Sequence, residues 1–128
     1  MTREHLIKAR EEGRKTIIED MINGNLDNCN ARVSFAAMKQ GDEVGKEIVD
    51  EYISYLASGI ASIINIFQPN VLSIGGGVCG EKEYLTKPLI EKVFGQTYTK
   101  TGVTPQCEIK IAELGNDAGI VGAAVLGL

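Results

Sequence analysis

Residues Asp42 to Phe67 carry the pattern that most restricts what this chain can fold into. Val44, Ile48, Tyr52, Leu56, Ile60 and Ile63/Ile64 recur every three or four residues, with Glu43, Lys46, Glu47, Asp50 and Glu51 on the other faces. That period predicts an amphipathic helix. Asp42 offers an N-cap carboxylate, the acids of the first turn suit the helix dipole, and Pro69 stops it. About 25 residues at the helical rise span about 37 Å, which is long for a chain of 128 residues. Beyond Ile60 the segment is apolar all round, so its second half is expected to be buried on every side.

Shorter elements flank this helix. Thr2 to about Lys15 reads as a polar helix with a weak stripe at Leu6 and Ala9/Arg10, Thr2 and Glu4 as cap candidates, and Gly13 ending or weakening it. Asn23-Gly24-Asn25 is a turn signal. A helix from about Asn30 to Gln40 follows, with Val33, Ala36 and Ala37 on one face, Asp27 or Asn28 as its cap, and Gly41 as its stop. After Pro69, Asn70–Ile74 reads as a buried strand and Glu81–Phe94 as a helix, which Pro88 either kinks or truly begins. Gly95–Gln106 reads as a loop, Glu108–Leu114 as a second strand, and Ala118–Leu126 as a small-residue helix capped by Asn116 or Asp117. The chain thus divides into a helical segment, 1–68, and a strand–helix–strand–helix segment, 69–128. That order predicts an α/β class, helix-rich, with a short parallel strand pair and a right-handed crossover.

Length suits a single ordinary domain. With 44% hydrophobic and 23% charged residues the chain has the balance of a soluble globular protein. A net charge of −4 and a pI near 5.0 argue against direct nucleic-acid binding and against an anionic membrane surface. Leu56–Phe67, broken by Ser58, Ser62 and Asn65, is too short to span a bilayer. Met1–Arg14, charged throughout, is not expected to act as a signal peptide. Cys29, Cys79 and Cys107 are odd in number and form no C-x-x-C pair, which argues against disulfides and zinc and for a reducing, cytoplasmic compartment. The lone histidine, His5, is expected to be a solvated surface residue, and no residue set suggests a catalytic group or a metal centre.

Fifteen glycines, against a background of roughly 7%, concentrate in two clusters. Gly75-Gly76-Gly77-Val78-Cys79-Gly80 satisfies G-x-G-x-x-G between a strand and a helix, the setting in which backbone N–H groups hold a pyrophosphate. It sits late in the chain, its strand–helix–strand unit is long, and Glu81 and Glu83 follow at once, where they would repel phosphate. Gly80 is followed by Glu81-Lys82, which also fails the P-loop pattern. The turn therefore suits a flat, uncharged partner such as an adenine or ribose face, or is a tight turn with no ligand. Cys79 reads either as a small buried filler or as a thiol activated at a helix start. In the second cluster Gly119, Gly122 and Ala123 give a bare helix face for close packing, with ligand contact by Asn116 or Asp117 as the other reading. Asp42, Asp50 and Glu51 read as capping and solvated acids.

Taken together, NIFQPNVLSIGGGVCGEKEYLTKPLIEKV, then IKIAELGNDAGIVGAAVLGL, with AAMKQGDEVGKEIVDEYISYLASGIASIIN before them, resemble the C-terminal part of ROK-family (repressor, open reading frame, kinase) sugar kinases, particularly bacterial glucokinases. The resemblance runs from about Lys8 to the end. It implies part of an actin-like ATPase (RNase H-like) fold of two lobes with ATP and sugar between them. Within these 128 residues there is no D-x-G-G-T phosphate loop, no catalytic Asp in its family context, no E-x-G-H motif and no cysteine-rich zinc loop. The family likeness implies that Gly75, Gly76 and Gly77 form the adenosine-side wall of a nucleotide pocket. It implies ATP with Mg as the cofactor of the intact enzyme, with none held tightly by this piece, and a hexose as substrate. The implied partners are an N-terminal lobe and a second copy, through an apolar patch left uncovered, and the piece alone is expected to lack kinase activity. A sugar-responsive repressor of the same family and a dinucleotide-binding module are the alternatives.

Overall fold

The computed structural model describes residues 1–98, 106–114 and 117–126. By internal contacts the chain divides into two compact units, Met1–Leu56 and Ala57–Leu128. The first unit holds α1 (Thr2–Glu11), α2 (Ile18–Met21), a 3-10 turn (Leu26–Asn28), α3 (Ala31–Lys39) and the first half of α4 (Glu43–Phe67). Leu6 and Ala9 of α1, Ile18 and Ile22 around α2, Ala37 of α3, and Val44 and Ile48 of α4 form its buried core.

α1 ends where Gly13 takes a left-handed φ of +68°. The anticipated capping by Thr2 and Glu4 is not made: Met1 is the cap residue, Thr2 Oγ1 lies 3.1 Å from Ser34 Oγ, and the Glu4 carboxylate meets the N-terminal ammonium at 2.7 Å. α3 is capped by Asn30, whose Oδ1 accepts from Val33 N at 3.1 Å, rather than by Asp27 or Asn28. The neighbouring Asn25 is used to cap the 3-10 turn, accepting from Asp27 N. Gly41, at φ +85°, closes α3 as expected: Gly41 N and Asp42 N return to the carbonyls of Met38 and Ala37, the bond pair of a Schellman stop. Asp42 then starts α4, its Oδ1 accepting from Gly45 N at 2.7 Å.

α4 runs its full 25 residues and ends in Gln68 at φ +44°, ahead of Pro69. Its second half is not buried on every side. Ile60, Ala61 and Ile64 are buried, but Ile63, Ile66 and Phe67 are exposed, Phe67 by 74%. The described residues cover only one side of this apolar segment.

In the second unit β1 (Val71–Ile74) pairs in parallel with β2 (Glu108–Ile111), Val71 opposite Glu108 and Ile74 opposite Ile111. The parallel pair is the expected one, but β1 is not a buried strand: Leu72 and Ile74 are half-buried while Val71 and Ser73 are exposed. In β2 Ile109 and Ile111 share the half-buried face, and the strand stops short of Glu113. A 3-10 turn, Gly77–Glu81, and then Lys82 at φ +49° stand between β1 and α5 (Glu83–Phe94), so α5 begins two residues later than the pattern suggests. Pro88 lies inside α5 and does not mark its start. Leu85, Leu89 and Val93 are fully buried along one face of α5.

α6 (Ala118–Val125) follows Asp117, which makes no side-chain cap bond; Asn116 lies outside the described residues. A Cβ placed at Gly119 or Gly122 meets nothing within 4 Å. Among the described residues, then, the bare face does not pack as anticipated. Most of the Gly95–Gln106 loop is also outside the described residues.

Candidate functional site

β1 and β2 run parallel, so their carboxyl ends lie side by side, and the glycine turn leaves from one of them. In open α/β sheets this is where ligands bind. Ala112 N donates to Ile74 O at 2.8 Å, and a Cβ on Gly75 would sit 3.7 Å from Ala112 Cβ, so the two strand ends meet at the turn. Gly76 has φ +109° and ψ 172°, a conformation open in practice only to glycine. Gly75, Gly76 and Gly77 are all exposed, and among the described residues nothing lies within 4 Å of a Cβ placed on Gly76. The structure therefore presents three successive bare peptides at the strand ends.

Hydrogen bonds on the far side of the glycines hold the turn in shape. Cys79 N donates to Gly76 O at 3.1 Å, the Cys79 thiol donates to Ile74 O, and Lys82 N returns to Cys79 O. Cys79 is buried and burial pushes its thiol up. This is the filler reading, and it removes the activated-thiol reading, which needs a depressed value. Burial likewise raises Cys107, and Cys29, where nearby Glu19 adds to it.

Glu83 stands in the first turn of α5, as expected, but it is not a bare charge: Lys87 Nζ lies 2.7 Å from its Oε2 and holds the carboxyl below its usual value. Glu83, Tyr84 and Lys87 border a cleft of about 290 Å³ on α5, which packs against the 3-10 turn. The acids still stand where a pyrophosphate-binding loop presents its helix start, so the turn suits a neutral ring or sugar better than a phosphate.

The remaining candidates resolve elsewhere. His5 is not simply solvated: it is half-buried and its Nε2 bonds Glu51 Oε2, joining α1 to α4. Glu51 is thus a partner of His5, not a free solvated acid. Asp42 caps as predicted, and also accepts from Ile17 N at 2.9 Å and Thr16 Oγ1 at 3.0 Å. Among the described residues no group of three or more His, Cys, Asp or Glu side chains is placed to hold a metal ion, and no helix is long and apolar enough to cross a membrane. Sequence reasoning passed over Gly45. A Cβ there would lie 2.8 Å from Met38 N and 2.9 Å from Ala37 Cβ, so α3 and α4 touch through it. Its signal was a glycine in the first turn of the helical pattern, one that Gly59 of the same helix also gives without any close neighbour among the described residues.

The model of the ROK family matches residues 13–128. The chain is 37% identical to a glucokinase of Thermotoga maritima over 101 residues, 79% of this chain and 31% of that protein. It is 35% identical to a glucokinase of Halalkalibacterium halodurans, covering 75% of this chain and 28% of the relative. It therefore spans about a third of the length of these curated relatives. The solved structure of a ROK family glucokinase from Streptomyces griseus, in complex with glucose and AMPPNP, superposes with a TM-score of 0.78 at 26% identity, over 98% of this chain and 39% of that one. The partial actin-like ATPase fold, helix-rich with its short parallel strand pair, is thereby established, as is the likeness to sugar kinases read from the glycine turn and the segments around it. The chain belongs to the ROK family.

Proposed function

We propose that these residues form the C-terminal, nucleotide-side lobe of an ATP-dependent hexose kinase of the glucokinase type, with Gly75, Gly76 and Gly77 as the adenosine-side wall of the ATP pocket. The observation that carries this reading is the Gly76 conformation at the carboxyl ends of β1 and β2, with no described residue where a side chain would project. Bare peptides there let an adenine or ribose approach the backbone closely. The names of the relatives, and the AMPPNP and glucose held by the Streptomyces griseus enzyme, support the same assignment.

In the whole enzyme the γ-phosphoryl group of ATP passes to a hexose hydroxyl, a reaction driven by positioning and charge stabilisation. This lobe supplies one wall and the helices behind it. ATP would be used by the whole enzyme as its magnesium complex, the ion supplying charge neutralisation on the phosphates. The piece alone turns over no ATP and holds no nucleotide tightly. It works with an N-terminal lobe and with a second copy, in the cytoplasm; the three free thiols fit a reducing compartment.

Titration of the labelled chain with adenosine and AMPPNP tests the assignment. Backbone shifts at Gly75, Gly76 and Gly77, similar for the two ligands, are the expected result. Shifts that require the phosphates, or that fall elsewhere, would overturn it. A coupled assay is expected to find no glucose-dependent ATP turnover by the 128-residue chain.

A further inference from the structure

α1, α3 and the first half of α4 border a partly open pocket of about 190 Å³ within the first unit. Its inner wall is apolar: Phe35, Ile48 and Val49 are buried, and the Phe35 and Tyr52 rings meet edge to face with centroids 6.4 Å apart. Met1 and Ala31, the exposed members of the lining, border its open side. Tyr52 is the one ionisable side chain among its described lining residues, and the N-terminal ammonium of Met1 is paired with Glu4 at 2.7 Å. Its polar side-chain feature away from the Tyr52 hydroxyl is a pair of hydroxyls, Ser34 Oγ and Thr2 Oγ1, 3.1 Å apart, with Ser34 only 1% exposed.

We propose that this cavity is a binding site for a small neutral aromatic alcohol, a molecule of the size and polarity of phenol. It belongs to the first unit, whereas the glycine turn belongs to the second, and it does not depend on the kinase reading. The volume sets the size: a space of roughly 150 Å³ is enough to take up benzene. The walls set the character, because an aromatic guest can continue the edge-to-face packing of Phe35 and Tyr52. The hydroxyl pair sets the one polar group. In Ser34 and Thr2 either oxygen can be the donor, so the pair can offer a guest hydroxyl a donor or an acceptor. The Met1 ammonium at the mouth is already paired with Glu4, so an anionic guest would be desolvated without a free counter-charge, and a sugar or nucleotide would bring more polar groups than two hydroxyls can satisfy.

The test is an NMR titration of the 128-residue chain with phenol, benzene and benzoate. Phenol is expected to shift Phe35, Val49 and Tyr52, to bind about fivefold more tightly than benzene, the worth of one hydrogen bond, and to leave the glycine turn unshifted. Benzoate is expected to leave the cavity signals unchanged. Ser34→Ala is expected to abolish the preference for phenol over benzene; should that variant fail to fold, Thr2→Val tests the same pair from the other side. Ala31→Leu, at an exposed helical position, is expected to keep the circular dichroism of the chain and remove binding. Absence of shifts with phenol, equal binding of benzoate, or binding indifferent to Ala31→Leu would each overturn the proposal.

Discussion

At the scale of single residues, the junction between α3 and α4 concentrates the demands on the first unit. Asp42 accepts three hydrogen bonds, from Gly45 N, Ile17 N and Thr16 Oγ1, and so fixes the start of α4 and the approach to α2 together. Asp42→Ala is expected to lower stability by about 2–3 kcal/mol in urea unfolding, more than the ~1 kcal/mol of a lone N-cap. Three residues on, helix propensity alone would favour Gly45→Ala by ~1 kcal/mol. The added methyl would meet Met38 N at 2.8 Å, a backbone atom that cannot swing aside. The clash should win, and we expect a net destabilisation of about 1–3 kcal/mol, read as a lower urea midpoint. Two ion pairs make the same unit acid-sensitive. Arg10 holds the Glu19 carboxyl below its usual value, and Arg14 does so for Glu47. A carboxyl whose folded value is depressed stabilises the fold above its unfolded value, about 4.3, and that contribution fades as pH falls through the folded one. The melting temperature should accordingly drop below about pH 4, and Arg10→Gln should make that drop shallower.

At the scale of elements, the outcome depends on whether an element is decided by its own residues or by its neighbours. The limits of α4 were legible because both ends are local: Gly41 and Asp42 at one, Gln68 and Pro69 at the other. The parallel pair was legible for a similar reason, since β-branched runs separated by a helix leave few other connections. Burial was not legible. An apolar run such as Ile60–Phe67 states only that its residues prefer cover, and Ile63, Ile66 and Phe67 find none among the described residues. The start of α5 was misplaced because Lys82 adopts a positive φ that no local pattern signals. The glycine turn could be located and assigned a polarity from Glu81 and Glu83, but the Gly76 conformation and the place of Gly75 beside Ala112 needed the β2 strand end, distant in sequence. These differences should appear in hydrogen exchange. α6 has eight residues, no side-chain cap and exposed apolar side chains, and isolated helices of that length are marginal. Its amides should exchange far faster than those of α4 between Val44 and Ile53; comparable protection would mean that α6 is covered in solution.

At the scale of the whole chain, the uncovered apolar surface of the second unit governs behaviour in solution. Phe67 at 74% and Ile120 at 73% exposure, with exposed Ile66, Val71 and Val125, are large apolar side chains left uncovered by the described residues, and such surface tends to recruit a partner where it is contiguous. Sedimentation at rising concentration should show reversible association, and Ile120→Lys should weaken it; a monomer at all concentrations would contradict the expectation. The three cysteines lead to a practical consequence. Cys79 and Cys107 are buried, and the thiols of all three cysteines are held above their ordinary value, so few of their sulfurs are nucleophilic near neutral pH. The native chain should therefore be a quiet background for maleimide chemistry. A single cysteine introduced at an exposed position such as Tyr98 would take a fluorophore ahead of the three natural ones, without their first being removed.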